Sequence, residues 1–342
     1  MSPDAMQRGL ALYVQQQTGA RHVEPLAFSR LSGGAIQSNY ALSVKCSGGS
    51  MPGTLDLVVR CDSPSKVDAS LTREQEFRVM RVAHQAGVTV PEPLWMCTDT
   101  SVIGSAFCVM VRVSGMAEGR KLVRAQLDDR QATSLTRQLG QELARLHTVH
   151  PPEARLDFLP IPPASPALWR VQTYRDALDR IPEPHPVLEW SLNWLQDNAP
   201  ESGGTVLCHC DFRTGNYMVE RAGITGILDW EFAAWSDPYE DLGWLCAKSW
   251  RFGVNDKAVG GIGHKPELFA AYGEASGRTV DGNAVIYWEA MGMTRWAIIA
   301  LQQAQRHISG GQTSLELALT GRLLPEIEFD LLEHIQRYGE SA

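Results

Sequence analysis

The chain has 342 residues, 44% hydrophobic and 20% charged, enough to bury a sizeable core in one or two units. Its formal charge of −8 argues against a general binder of nucleic-acid polymers, which needs a basic face. No apolar run reaches the roughly 20 residues of a bilayer span, the opening MSPDAMQRGLALYVQQQ lacks a signal-peptide pattern, and the irregular spacing of the cysteines argues against a secreted disulfide framework; a cytoplasmic protein is expected.

Residues 4–19, with Ala5, Leu10, Leu12 and Tyr13 on a partial apolar face, predict an opening helix. Residues 26–32 lead into Gly33-Gly34, and 40–44 and 55–60 read as strands around a glycine-rich turn. Ser70 is placed as the cap of a helix whose body runs over 72–85, before Gly87. Strands follow at 94–97 and 106–113, the second ending at Ser114-Gly115. The unit 1–112 is therefore strand-rich with one prominent helix.

From 113 to 342 the pattern turns helical. Leu135, Leu139, Leu143 and Leu146 recur on one side of a helix over 131–147. A proline-rich connection spans 151–166, and helices are expected at 171–178, 186–197, 266–274, 282–307 and 325–338, with no internal repeat. The expected architecture is α+β, a small β-rich lobe and a larger helical lobe joined near 110–116.

The chemistry concentrates in the second unit. Residues 206–208 form a hydrophobic approach strand, and His209-Cys210-Asp211-Phe212-Arg213-Thr214-Gly215-Asn216 reads as a loop. A hairpin of 217–220 and 224–228 then returns Asp229 to the end of the sheet that carries Asn216. Phosphoryl transfer needs an oriented hydroxyl, charge neutralisation and metal ligands. Asp211 can accept the hydroxyl proton, while Asn216 and Asp229 offer the hard oxygens that suit Mg2+. His209 suits holding the loop; Arg213 suits either bracing it or meeting the transferred phosphate. A zinc site at Cys208-His209-Cys210-Asp211 is disfavoured, since neighbours on a strand or tight turn do not converge on one ion and no second Cys/His pair stands nearby. A metal-dependent hydrolase using Asp211, His209 and Asp229 is a further reading of the same residues.

HCDFRTGNYMVE followed by GITGILDWEFAAWSDPYEDLGWL resembles the aminoglycoside phosphotransferase and choline kinase-like family, and within it the domains found beside acyl-CoA dehydrogenase-like modules. The resemblance covers roughly 25–305. It implies a two-lobed protein kinase-like fold with a small antiparallel β-rich N-lobe and a larger helical C-lobe. It also implies ATP, with GTP possible, together with Mg2+ and a small-molecule hydroxyl acceptor. Asp211 then corresponds to the catalytic base, with His209 and Arg213 in the same loop, and Asn216 and Asp229 to the metal ligands. Asp229-Trp230-Glu231 stands where protein kinases have Asp-Phe-Gly, which favours a small acceptor over a protein. Ser32, Gly33, Gly34, Ala35, Ser38 and Asn39 correspond to the nucleotide-covering loop; a P-loop is absent. Arg60 stands where many relatives have lysine, on the α- and β-phosphates, with Glu76 orienting it and Glu74 as the alternative register. Met110, Val111 and Arg112 correspond to the linker that recognises the base. Asp237 and Asp241 are expected to stabilise the lobe through loop or cap bonds. Trp235, Trp244, Trp250, Trp288 and Trp296 suit core packing, with one or two free to line a pocket for a cationic amine or an apolar hydroxylated molecule. Neither a nucleic-acid polymer nor a membrane is an expected partner, and monomer and homodimer are both open. A nucleotide-binding regulator with weak or no catalysis is the alternative function.

Overall fold

The computed structural model describes residues 1–31, 38–62, 70–125, 127–221 and 223–341. Five strands, β1 (His22–Arg30), β2 (Ser38–Ser47), β3 (Gly53–Cys61), β4 (Pro93–Cys97) and β5 (Phe107–Val111), form an antiparallel sheet in the order β1-β2-β3-β5-β4. Alternation along β3 gives the sheet two different faces. Leu57, Val59 and Cys61 point into a cluster with Leu42, Val44, Phe107 and Val109, closed by Leu10 and Val14 of helix α1 (Pro3–Thr18). Val58 lies on the other face and packs with Met110, Cys108 and the apolar side of α2 (Arg73–Gln85). Arg60 shares that second face, and this directs it toward α2. The helix starts on a capping box from Thr72, whose hydroxyl accepts from the Gln75 amide, and not on Ser70.

The C-lobe opens with α3 (Gly119–Arg124), a short helix the sequence pattern did not reveal, and α4 (Asp129–Leu146). Leu135, Leu139, Leu143 and Leu146 of α4 are all essentially buried, each stabilising the lobe by about 1.5–3 kcal/mol. Helix α5 (Pro166–Leu178) starts at Pro166, in a proline-favoured first turn, rather than at 171. Then follow α6 (Pro186–Asp197), β6 (Val206–Cys208), the hairpin β7 (Tyr217–Glu220) and β8 (Gly223–Ile227), β9 (Ala234–Ser236) and α7 (Pro238–Cys246). Strands β6 and β9 pair antiparallel, and Met116 in the connection between lobes bridges to Val219 of β7. The remaining helices are α8 (Lys265–Ser276), α9 (Gly282–Ile308), α10 (Leu315–Gly321) and α11 (Leu324–Ser341). Helix α7 lies directly on α9: a Cβ on Gly243 would stand 2.5 Å from Trp288, so only glycine admits this approach. Among the described residues no helix is long and apolar enough to cross a membrane.

Candidate active site

The loop after β6 is over-determined. Cys210, immediately before Asp211, has φ 59°, a left-handed conformation that side chains other than glycine seldom adopt. The buried carboxylate of Asp241 on α7 accepts the backbone N–H groups of His209 and Cys210, each at 2.7 Å. It also lies 3.2 Å from His147 Nε2, whose Nδ1 meets the Tyr272 hydroxyl. Burial alone would raise the Asp241 carboxyl; hydrogen bonding and charge from His147, with His209, outweigh it and hold the group below the usual carboxylate range. His209 itself is fully buried. Its Nδ1 accepts from the Asp211 amide at 3.2 Å and its Nε2 donates to the Leu228 carbonyl at 2.8 Å. With both nitrogens consumed inside the protein, His209 ties the loop to the strand end before Asp229 and has no atom left for a substrate.

The carboxylate of Asp211 is held at both oxygens. Oδ1 accepts from Arg213 Nε at 3.1 Å and from Trp244 Nε1 at 3.0 Å; Oδ2 accepts from Asn216 Nδ2 at 2.5 Å. Asn216 donates a second time, to the Asp211 carbonyl at 2.9 Å, which leaves its side-chain oxygen as the atom available to a cation. The Leu228 amide donates to the Asn216 carbonyl at 2.7 Å, so the hairpin ties Asn216 to the residue before Asp229. Asp229 has φ 61° and a half-exposed carboxylate. The amide and carboxylate oxygens of Asn216 and Asp229 are the hard donors that a divalent cation such as Mg2+ takes.

Arg60 crosses to this corner from β3. Its Nη2 lies 2.7 Å from Asp229 Oδ1 and 3.0 Å from Glu76 Oε1. Glu76 is buried and Glu74 exposed, so the register of α2 offers Glu76. The second oxygen of Glu76 is taken by Arg73, one helical turn earlier, a residue the sequence reading missed. Burial would lower the Arg60 guanidinium, but Glu76 and Asp229 raise it on balance. Burial raises Asp229, and the charge and hydrogen bond of Arg60 bring it below its ordinary value. Next to them the Glu231 carboxyl is pushed up to about 7, first by burial and then by Asp229 and Glu76.

Ser32, Gly33, Gly34 and Ala35 lie outside the described residues. Ser38 opens β2 opposite Cys61, and Asn39 is opposite Arg60. Met110 is buried in β5. The Val111 amide donates to the Glu92 carbonyl at 3.0 Å and the Arg112 amide to the Asp56 carbonyl at 2.9 Å. Two backbone donors expected to face a nucleotide base are thus spent inside the N-lobe.

Trp235, Trp244, Trp250 and Trp288 are buried, and Trp296 partly so. Trp244, Trp250 and Trp296 form a chain of rings with centroids 5.0 Å apart. Guanidinium groups of the protein already cover two of them: Arg213 sits 4.6 Å over Trp250, and Arg295 4.6 Å over Trp244. Arg295 on α9 and Arg170 on α5 also escaped the sequence reading. Among the described residues the one group of three or more His, Cys, Asp or Glu side chains that converge closely enough to hold a metal is His147, Cys208 and Asp241. Its atoms are engaged: Cys208 Sγ donates to the Asp237 carbonyl at 3.3 Å, and burial drives its thiol well above the ordinary value. Asp237 caps α7 through the Tyr239 amide at 2.9 Å and accepts from the Gly203 amide at 2.7 Å.

Asp211, Asn216 and Asp229 thus stand at the ends of short strands of the helical lobe, and Arg60 of the five-stranded sheet reaches Asp229. The model of the phosphotransferase enzyme family matches residues 27–279. The chain belongs to that family. It is 31% identical over 179 residues to acyl-CoA dehydrogenase family member 10 of Mus musculus, covering 51% of this chain and 16% of that one. It is 30% identical over 175 residues to family member 11 of Homo sapiens, covering 49% and 22%. The match therefore spans only about a fifth of these relatives' length. Among solved structures, a protein of Ralstonia eutropha JMP134 named as a candidate aminoglycoside phosphotransferase superposes with a TM-score of 0.75 at 22% identity, covering 96% of this chain and 98% of that one. An aminoglycoside phosphotransferase solved with GDP and kanamycin gives 0.61 at 16% identity over 94% and 98%. Plasmodium vivax ethanolamine kinase gives 0.60 at 15% over 88% and 81%. At these identities the structures establish the kinase-like, two-lobed fold.

Proposed function

We propose that this phosphotransferase moves the γ-phosphate of ATP, or of GTP, to a hydroxyl of a small molecule, with Asp211 as base and Asn216 and Asp229 as Mg2+ ligands. The observation that supports this reading is the set of contacts that joins Asn216 to Asp211 and Arg60 to Asp229, with the Leu228 amide on the Asn216 carbonyl linking the two pairs. In the transfer, the acceptor oxygen bonds to the γ-phosphorus, the bond from that phosphorus to the β–γ bridging oxygen breaks, and the nucleoside diphosphate leaves. The acceptor proton passes to Asp211. Bound Mg2+ would neutralise phosphate charge. Arg60 serves the phosphates from the N-lobe side, and Arg213, already on Asp211, stands where it can meet the transferred group. Base recognition is proposed for the backbone of the linker at Met110, Val111 and Arg112, through groups other than the Val111 and Arg112 amides, which are engaged. The domain division proposed is 1–112 for the nucleotide lobe and 113–342 for the catalytic and acceptor lobe.

Two observations bear on the acceptor. The faces of Trp244 and Trp250 hold Arg295 and Arg213, so they do not offer an open cage to an ammonium group. Arg213 pairs with Asp211 and Arg295 stacks on the neighbouring Trp244, which favours a neutral or anionic acceptor over a polycation. Mass-resolved transfer from ATP and Mg2+ to a panel of hydroxylated metabolites, ethanolamine and kanamycin tests the assignment. A product heavier by one phosphate is expected with the wild type, and Asp211→Asn should lower turnover by about 10²–10⁴ while keeping nucleotide binding. D211N turnover equal to wild type would falsify Asp211 as base. Nucleotide binding with no transfer to any acceptor would instead favour the regulatory alternative.

A further inference from the structure

We infer that Trp244 and Arg295 are positioning residues for Asp211, and that they turn its Oδ2 toward the acceptor hydroxyl. The inference rests on the reading of Asp211 as base. A carboxylate offers about four acceptor sites, two on each oxygen. Oδ1 is filled by Trp244 Nε1 and Arg213 Nε, whereas Oδ2 holds one partner, Asn216 Nδ2. The remaining site on Oδ2 is the one left for a substrate proton.

Trp244 is well placed to fix this orientation. It is buried on α7, one turn after Asp241, so a single helix grips the loop twice. Asp241 takes the amides before the base, and Trp244 takes the base itself. Arg295 then locks the indole and the backbone together. Its guanidinium stacks 4.6 Å over Trp244 and donates to the carbonyl of Cys210, the left-handed residue next to Asp211. The other polar atoms of Cys210 are held too: its amide by Asp241 at 2.7 Å, and its sulfur by Arg170 at 3.2 Å. Among the described residues no carboxylate forms an ion pair with Arg295, so its charge is directed at the loop carbonyl and the ring. Arg295 is partly buried, and a guanidinium withdrawn from water in part is offset by the carbonyl and the ring it meets. Mere packing would need neither an indole N–H nor a guanidinium here.

The test compares wild type, Trp244→Phe, Arg295→Met, Arg295→Lys and Asp211→Asn. Phosphate release from Mg–ATP to water is measured, with ethanolamine and kanamycin as trial acceptors, beside Mg–ATP affinity by calorimetry and hydrogen exchange of the Trp244 indole N–H by NMR. W244F and R295M should lower turnover about ten- to a hundredfold, the loss expected of one hydrogen bond to a charged group. Their Mg–ATP affinity should stay within about twofold, and R295K should recover much of the turnover. Indole exchange should speed up in R295M. Wild-type turnover in W244F, a parallel fall in nucleotide affinity, or unchanged indole exchange in R295M would each overturn the inference. Where release by the wild type falls below detection, indole exchange decides alone. D211N that remains active removes the base assignment itself; D211N inactive beside a fully active W244F removes only the positioning role.

Discussion

The two corners of the site are secured in different ways. Around Asp211 the ties are made within the C-lobe and, apart from the Arg213 ion pair, are hydrogen bonds: two amides to Asp241, an indole to the carboxylate, and a histidine bridging the loop to Leu228. Around Asp229 the ties are ion pairs: Arg60 crosses between the lobes to Asp229, and within the N-lobe it shares Glu76 with Arg73. On the proposed function, contacts of fixed direction suit a base that must not move, and charges that can exchange partners suit a corner where phosphates and a cation would arrive and leave. A cation binding Asp229 would then replace Arg60 there, and Arg60 would meet phosphate while Arg73 keeps Glu76 paired.

The comparison is tested most severely at Asp241. Replacing it by asparagine leaves an amide N–H₂ facing donors and strands His147, the one-sided break that costs about 3–5 kcal/mol in buried networks. Chemical denaturation of D241N at neutral pH should show that loss. The pH dependence follows from the sign of the shift. Folding holds the Asp241 carboxyl below its unfolded value. Its contribution is therefore present above the unfolded value, about 3.9, and fades as pH falls through the lower folded value. The stability gap between wild type and D241N should narrow on acidification below about pH 4. A gap under about 1 kcal/mol at neutral pH would mean that the base corner is held by something other than this carboxylate.

At the charge corner, Glu76→Gln should cost about 1.5–3 kcal/mol, the worth of hydrogen bonds to a charged group. The loss should appear mainly as weaker Mg–ATP binding in calorimetry, since Arg60 then leans wholly on Asp229 and competes with the arriving cation. If E76Q lowers stability and leaves nucleotide affinity untouched, the ion pairs are static supports and the contrast between corners disappears.

The difference between corners also governs what could be read from the chain. His209, Asp211, Asn216 and Asp229 are legible because a short loop and a tight hairpin bring them together, and local spacing survives in a sequence. The two-lobed fold followed from the change between strand alternation and helical periodicity. Thr72 beat Ser70 as the cap because Gln75 completes a box with it, a pair visible in the sequence. Arg73, Arg170, Trp244 and Arg295 are different. The last three reach the loop from helices 33 to 85 positions away in the chain, where an arginine or tryptophan has no spacing that marks a partner. The spent amides of Val111 and Arg112 depend on which strands flank β5, which pairing alone decides.

The smallest predicted effect concerns the arginine that replaces the lysine of many relatives. Arginine is ordinarily not interchangeable with lysine where its planar fork is used bidentately. Here both acidic contacts of Arg60 come from a single nitrogen, Nη2, at 2.7 Å and 3.0 Å. Its Nε is buried with no hydrogen-bond partner among the described residues. An ammonium can meet two carboxylates from one atom, and replacing the guanidinium also removes an unsatisfied donor, which offsets part of any lost packing. Arg60→Lys should therefore hold Mg–ATP affinity within about threefold of wild type, under about 1 kcal/mol, whereas Arg60→Met should lose far more because it leaves Glu76 and Asp229 with one cation fewer. Calorimetric titration of both variants separates the cases. A tenfold or larger loss in R60K would show that the fork, and not the charge, is what the nucleotide corner uses, and would place a second guanidinium contact on the phosphates.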